Sequence, residues 1–318
     1  MTSKPRVSIM KRLGRGERLL MDGATGSEIQ KRGGDVLKGS TPEWLGAWSA
    51  TANLESPDIV RAVHEDYLRV GAEILISNSF WTNRLRLEPI GQGDRWADYA
   101  SAAGRIAVES RDSVKPDAYV FGGMAPPCAE KPDWKVPDAG FLGERVLFDL
   151  FAEEAGVLKK ARVDAILPEY VGHIQDAVVA VEASATTGLP VFLGIRHVTN
   201  EGTMQYGEAI PELARALKGK PIAGVLLMCS QPDAATATLP GLRRAFDGPV
   251  GVYPNVGYMP LAPLRGKTVK EGINTLGVSA GDFAVRARAW VDMGAQIIGG
   301  CCGTGPEHIA ALKPVVKG

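Results

Sequence analysis

Two adjacent cysteines, Cys301 and Cys302, stand near the end of the sequence in Gly299-Gly300-Cys301-Cys302-Gly303-Thr304-Gly305, directly after the apolar run Ala295-Gln296-Ile297-Ile298. Neighbouring thiols cannot close an unstrained disulfide with each other, but both can turn toward one soft metal ion where the backbone is free to bend. The flanking glycines supply that freedom. The segment reads as half of a metal site at a strand end, and its chemistry depends on what else the fold brings to it.

The elements that could do so recur along the whole chain. Short apolar runs end in Gly, Pro, Asn or Ser clusters at 18–22, 72–77, 118–122, 163–168, 190–194, 223–228 and 249–253, and the run into Cys301 makes eight. Near-continuous hydrophobic strands indicate burial on both faces, the mark of a parallel sheet covered by helices. Between them lie helical patterns. Ser56 and Pro57 give an N-cap and first-turn proline, and Ile59, Val63, Tyr67 and Val70 recur at helical spacing up to Gly71. Similar patterns span 96–112, 144–160, 176–187, 209–218, 233–246 and 282–293. Eight strands alternating with helices predict a (β/α)8 TIM barrel, an α/β fold, with an open doubly wound sheet as the alternative. No linker or low-complexity tract divides the chain, so 1–318 is expected to be a single domain.

In such a barrel the chemistry sits at the C-terminal strand ends. Cys229 ends the sixth run and the cysteine pair the eighth, so the fold would gather three thiols. Three thiolates suit zinc, and three protein ligands with an open position describe a site that takes a substrate. Soft donors favour a further thiol, bound as thiolate near neutral pH. The plainer alternative is a buried apolar Cys229 and an unusual turn at 301–302. Cys128, after Pro126-Pro127, reads as a spare thiol.

Composition narrows the function classes. The 318 residues are 45% hydrophobic and 23% charged, with 36 basic and 36 acidic side chains. This balance gives no electrostatic case for nucleic acid or an acidic membrane surface. No apolar run reaches the length of a membrane span, and the basic N-terminus is followed by no signal-peptide core. Four cysteines without scaffold spacing suit a reducing, cytoplasmic compartment.

Several segments together carry a resemblance. Asp22-Gly23-Ala24-Thr25-Gly26-Ser27, Ser56-Pro57-Asp58-Ile59-Val60 through His64, Tyr67 and Gly71-Ala72, Ser77-Asn78-Ser79-Phe80, Tyr253-Pro254-Asn255-Val256-Gly257 and Gly299 to Ile309 are similar to the homocysteine S-methyltransferase family. The resemblance implies a (β/α)8 barrel that binds Zn2+ through Cys229, Cys301 and Cys302, and transfer of a methyl group to the thiol of homocysteine to give methionine. A metal-held thiolate attacks an electrophilic methyl without a general base. Asn255 matches a position from which some members supply a fourth, displaceable oxygen ligand; the alternative is a turn-former after Pro254. Glu169 fits the homocysteine ammonium, because a carboxylate at a strand mouth is costly unless paired with a cation. Family positions give Asp22 the same task, with backbone N–H groups of Gly23, Ala24 and Thr25 for the carboxylate. Either acid could instead cap a turn.

The donor side departs from the family pattern. Glu169-Tyr170 stands where many members read Glu-Thr, and Arg196-His197 where a small hydroxyl residue is common. Trp44, Trp48, Phe80 and Trp81 fall in the first two strand-end loops, where aromatic faces could hold a sulfonium or betaine-type donor by cation–π attraction, or simply anchor the loops. Arg196 and His197 are further donor-side candidates, while His64 and His308 read as structural. The large methionine synthases carry folate and cobalamin modules after this barrel, for which this sequence has no room, so a small self-contained donor is expected. A subunit receiving its methyl from a separate corrinoid protein and a non-enzymatic zinc or thiol-binding barrel are the rivals. A homo-oligomer is left open.

Overall fold

The computed structural model describes residues 6–40, 46–127, 133, 135–258, 274–275 and 278–318; Trp44 and Cys128 lie outside the described residues. Eight strands fall on the eight predicted runs. They are β1 (Leu19–Leu20), β2 (Ile74–Ile76), β3 (Tyr119–Met124), β4 (Ala165–Pro168), β5 (Phe192–Arg196), β6 (Gly224–Met228), β7 (Val250–Tyr253) and, after a short antiparallel pair β8 (Gly257–Tyr258) and β9 (Asn274–Thr275), β10 (Ile297–Ile298). The fold is α/β with parallel sheets. One sheet has the order β1-β10-β7-β6-β5 and the other β2-β3-β4. Isolated parallel bridges join their edges, Met21 to Ile74 and Ile166 to Val191.

Strand residues alternate strictly between two apolar cores, as the pleat requires. Leu20, Leu75, Val120, Ile166, Leu193, Val225, Val252 and Ile298 pack in the larger core with helices such as Pro57–Val70 and Glu144–Lys160. Leu19, Met21, Ile74, Phe121, Leu167, Phe192, Leu226 and Ile297 face the other way and form a second core. Burial on both faces explains the unbroken apolar runs in the sequence.

The N-terminal helix Ile9–Gly14 adds Ile9 and Leu13 to that second core. The ends of the strands away from the chemistry are further tied by charges: Asp164 accepts from Arg6, Arg111 and the Val120 N–H, and Glu73 from Arg12 and Lys317. A cavity opens at the opposite, C-terminal strand ends.

Helix boundaries follow local chemistry. The helix Pro57–Val70 begins at the predicted proline and stops at Gly71, whose φ of 118° is reached at low cost without a Cβ. Trp96–Val114 runs slightly past its expected end, and Ile174–Ala185 starts two residues early.

Candidate metal and substrate site

At the C-terminal strand ends the three cysteines meet. Their sulfurs all lie within 4.8 Å of one another, with Cys229 Sγ 3.9 Å and Cys301 Sγ 4.0 Å from Cys302 Sγ. Four ligands around zinc at a Zn–S distance near 2.3 Å put sulfurs about 3.8 Å apart on a tetrahedron. The donor set and its spacing therefore fit one soft cation with a position left over. Hydrogen bonds from Cys229 and Cys301 hold the Cys302 thiol well below its ordinary range, while bonds with Cys229 and Cys302, together with burial, push Cys301 up. A bound soft cation would favour the thiolate form of all three.

The backbone that presents the pair is pinned residue by residue. Gly300 N–H donates to Asp22 O at 3.0 Å and Cys301 N–H to Pro254 O at 2.9 Å. The Thr304 hydroxyl donates to Cys301 O at 2.6 Å. Gly303 then turns the chain with φ 82°, the freedom expected of the flanking glycines. Cys229 itself sits in the left-handed region with φ 47°, as do Tyr170 at 61° and His197 at 51°. Each is in the loop that leaves its strand, and each lines the cavity. Strain repeated at three consecutive strand ends is the kind that persists where function over-determines the backbone. Nothing in the residue types signals it.

Asn255 accepts the Cys302 N–H on Oδ1 at 3.1 Å, and its side chain also bonds the Cys229 thiol, which Cys302 and burial hold above its ordinary range against the opposing bonds from Cys301 and Asn255. In this arrangement it braces two of the three cysteines.

Beside the sulfurs lies a cavity of about 640 Å³, lined by Gly23 to Ser27, Trp48, Phe80, Trp81, Glu169, Tyr170, His197, Asn255 and the three cysteines among others. Glu169 is 4% exposed and accepts from the Tyr253 hydroxyl at 3.1 Å. Burial pushes its carboxyl up to about 8, against that hydrogen bond, and the Cys302 charge adds to the rise. A side chain at Gly123 or Gly194 would collide with Glu169, so these two glycines make its seat. Asp22 is fully buried behind the lining: Oδ2 accepts the Ile76 N–H at 2.8 Å, and Oδ1 is without a partner among the described residues. Burial raises its carboxyl well above the usual range, and Glu169 raises it further. Two neighbouring buried acids with an orphaned oxygen are costly to ionise unless a cation pairs with them. Of the backbone donors at 23–25, the Ala24 N–H is already taken by Thr304 O and Oγ1, at 3.1 and 3.2 Å.

The donor-side candidates separate. Phe80, Trp81 and Tyr170 form one aromatic wall, with centroids 4.9 Å apart for Phe80–Trp81 and 5.3 Å for Phe80–Tyr170. Trp81 already carries the Arg86 guanidinium 3.5 Å from its ring centroid. Trp48 lines the cavity with its indole against Gly26. His197 faces Tyr170 edge-on, and burial, helped by Arg196, lowers it to about 4, so it is neutral at pH 7. Arg196 is not part of the lining; it is buried with its guanidinium 4.5 Å from the Tyr170 centroid. His308 accepts the Gly305 N–H and starts the helix Pro306–Lys317, the structural role expected of it. Tyr253, Met228 and Thr304 went unassigned in the sequence. The alternation of β7 could have found Tyr253, since its parity places it on the inner face with Gly251.

A family profile described as homocysteine S-methyltransferase matches residues 19–316. The chain belongs to the homocysteine S-methyltransferase family. It is 27% identical to homocysteine S-methyltransferase 3 of Zea mays over 315 residues, covering 93% of this chain and 89% of the maize protein. Betaine–homocysteine S-methyltransferase 1 of Bos taurus is 28% identical over 324 residues, covering 96% and 73%. Its fold is shared with the metallated form of the homocysteine methyltransferase MmuM from Escherichia coli, with a TM-score of 0.78 and 20% identity over 96% of this chain and 99% of that one. Among the described residues no helix is long and apolar enough to cross a membrane.

Proposed function

We propose that this protein is a zinc-dependent homocysteine S-methyltransferase of the cytoplasm, a single (β/α)8 barrel over 1–318 that takes its methyl group from a small sulfonium or betaine-type donor. The barrel reading is supported by the two bridges that join the sheets edge to edge. The observation that carries the functional reading is the adjacency of three sulfurs within 4.8 Å to the buried pair Asp22 and Glu169. One cluster suits a thiol and the other an ammonium, and homocysteine has both.

Cys229, Cys301 and Cys302 would hold the zinc, which when bound supplies Lewis-acid stabilisation of the substrate thiolate at neutral pH. Glu169 and Asp22 receive the ammonium, so the substrate's own charge offsets the cost of burying theirs. Tyr253 fixes one Glu169 oxygen and leaves the other for substrate. Phe80, Trp81 and Tyr170 exclude water, and Phe80, the ring of the three with no guanidinium over it among the described residues, is the one offered to a cationic donor. The substrate sulfur's electron pair forms the new S–CH3 bond, and the breaking bond returns its pair to the donor's sulfur or nitrogen. No proton moves in this step, in keeping with a neutral His197 and the lack of a required base.

The test is incubation of zinc-loaded protein with homocysteine and, in turn, S-methylmethionine, S-adenosylmethionine and glycine betaine, followed by assay for methionine. Methionine from one of them supports the reading. Its absence with all three, together with turnover when a methylated corrinoid protein is added, replaces the donor assignment.

A further inference from the structure

Behind the aromatic wall lies a carboxyl group that the proposed chemistry does not use. Glu154, on the helix Glu144–Lys160, is 2% exposed, and its Oε1 is 2.6 Å from the Thr82 hydroxyl. That same hydroxyl is 2.9 Å from Ser79 O, across a turn also closed by the Thr82 N–H at 3.1 Å.

A threonine hydroxyl has one hydrogen. Given to Ser79 O, it leaves Thr82 Oγ1 as an acceptor, and the short contact to Glu154 then requires a proton on the acid. Given to Glu154, it would leave an ionised carboxylate in the interior, where burial without a cation is strongly unfavourable. The charged groups on neighbouring elements are engaged elsewhere. Arg111 bonds Asp112 and Asp164, Arg86 lies over Trp81, and Asp176 accepts the N–H groups of Asp138 and Ala139. On its own helix, Glu153 is exposed.

We propose that Glu154 is a neutral carboxylic acid that donates its proton to Thr82 and thereby fixes the Ser79–Thr82 turn, making it a positioning residue for Phe80 and Trp81 on the donor side of the cavity. Burial pushes Glu154 up to about 8, which favours the neutral acid at pH 7. The rest of the turn is fastened to strands and loops. Ser79 Oγ donates to Gly123 O at 2.7 Å, so Ser77 is the donor in its 2.7 Å contact with Ser79. Ala125 N–H donates to Phe80 O at 2.9 Å, and Trp81 Nε1 to Pro126 O at 3.2 Å. Glu154 adds a tie to the helical layer.

The positioning role rests on the donor-side reading above, and the experiment has one arm that does not. Infrared spectra of the wild type and Glu154→Gln at neutral pH are compared for the carbonyl stretch of a protonated carboxylic acid. The band is expected in the wild type and absent in the variant; no difference at that band overturns the proposal, whether or not any donor is turned over. In the kinetic arm, KM is measured for homocysteine and for the donor that gives methionine in the test above. Glu154→Gln, whose amide also donates to Thr82, keeps the donor KM within about twofold. Glu154→Leu and Thr82→Val raise it about tenfold, as expected for a lost buried hydrogen bond, with the homocysteine KM and zinc content unchanged. A glutamine variant as impaired as the leucine one, or equal changes for both substrates, would overturn it. Should Glu154→Leu fail to fold, Thr82→Val carries the comparison. A wild type inactive with every donor would defeat the functional reading and leave the infrared result to decide the state of Glu154.

Discussion

The sulfurs of Cys229 and Cys302 lie 3.9 Å apart across a sequence separation of 73 residues, one at the end of β6 and the other just beyond β10. Both strands are hydrogen-bonded to β7, so the separation between the thiols is set by two parallel ladders and not by a flexible loop. A site built on paired strands arrives at its ligand geometry before any ion binds.

Cys229→Ala, Cys301→Ala or Cys302→Ala should each reduce bound zinc to background and abolish methionine formation, with the helical circular dichroism retained. Chelation of the wild type should do the same and zinc should restore it. Full turnover by a metal-free single cysteine variant would sink the mechanism.

Asn255 touches the backbone of Cys302 and the thiol of Cys229. Asn255→Ala should weaken zinc binding about 10- to 100-fold, the usual effect of removing a group that orients metal ligands. Competition with a chromogenic chelator measures this; an unchanged affinity would leave Asn255 with a turn-forming role.

Glu169→Gln keeps the shape of the side chain and removes its charge. The lost charged hydrogen bond is worth about 1.5–3 kcal/mol, so the homocysteine KM should rise roughly 10- to 100-fold, with a smaller change in kcat. Tyr253→Phe should raise the same KM severalfold through loss of one hydrogen bond to Glu169. A selective effect of either change on the donor KM would reassign this pair.

His64 is fully buried on the helix Pro57–Val70, and neither ring nitrogen has a partner among the described residues. Burial, with Arg61 contributing, depresses its pKa to about 4 from 6.5. The folded chain therefore keeps His64 neutral while the unfolded chain protonates below 6.5. Its contribution is complete above that value and is lost as pH falls toward 4, by up to about 1.4 kcal/mol per pH unit. Urea unfolding at pH 5 and pH 8 should show a smaller difference in His64→Leu than in the wild type. Identical pH dependence in both would exclude His64 as a source of acid lability.

Much of this arrangement was legible in the residues. Apolar runs of strand length, broken by amphipathic helices with Pro at one end and Gly at the other, give the parallel α/β fold because burial on both faces leaves no polar alternation to read. The double cysteine was equally readable, since glycine-flanked thiols have few other uses, whereas the Asp-Gly segment alone is a weak signal. Less visible was the order of contacts behind the site. Arg196, adjacent to His197 in sequence, leaves the cavity lining to its neighbour and packs on Tyr170. Trp81 turned out to carry a guanidinium already.

By itself, then, the sequence determined the eight parallel strands, the thiols and the acids at the strand ends, because each is a property of residue type and local spacing, but not the short antiparallel pair β8–β9. Only the tertiary structure decided that Tyr253 and Glu169 form a pair, that Asn255 braces two cysteines, and that Glu154 reaches Thr82. Those partners are 84, 47 and 72 residues apart for Tyr253–Glu169, Asn255–Cys302 and Thr82–Glu154. Which hydrogen-bonding group meets which is settled by strand register and helix packing, and register is a relation between segments that no single segment encodes.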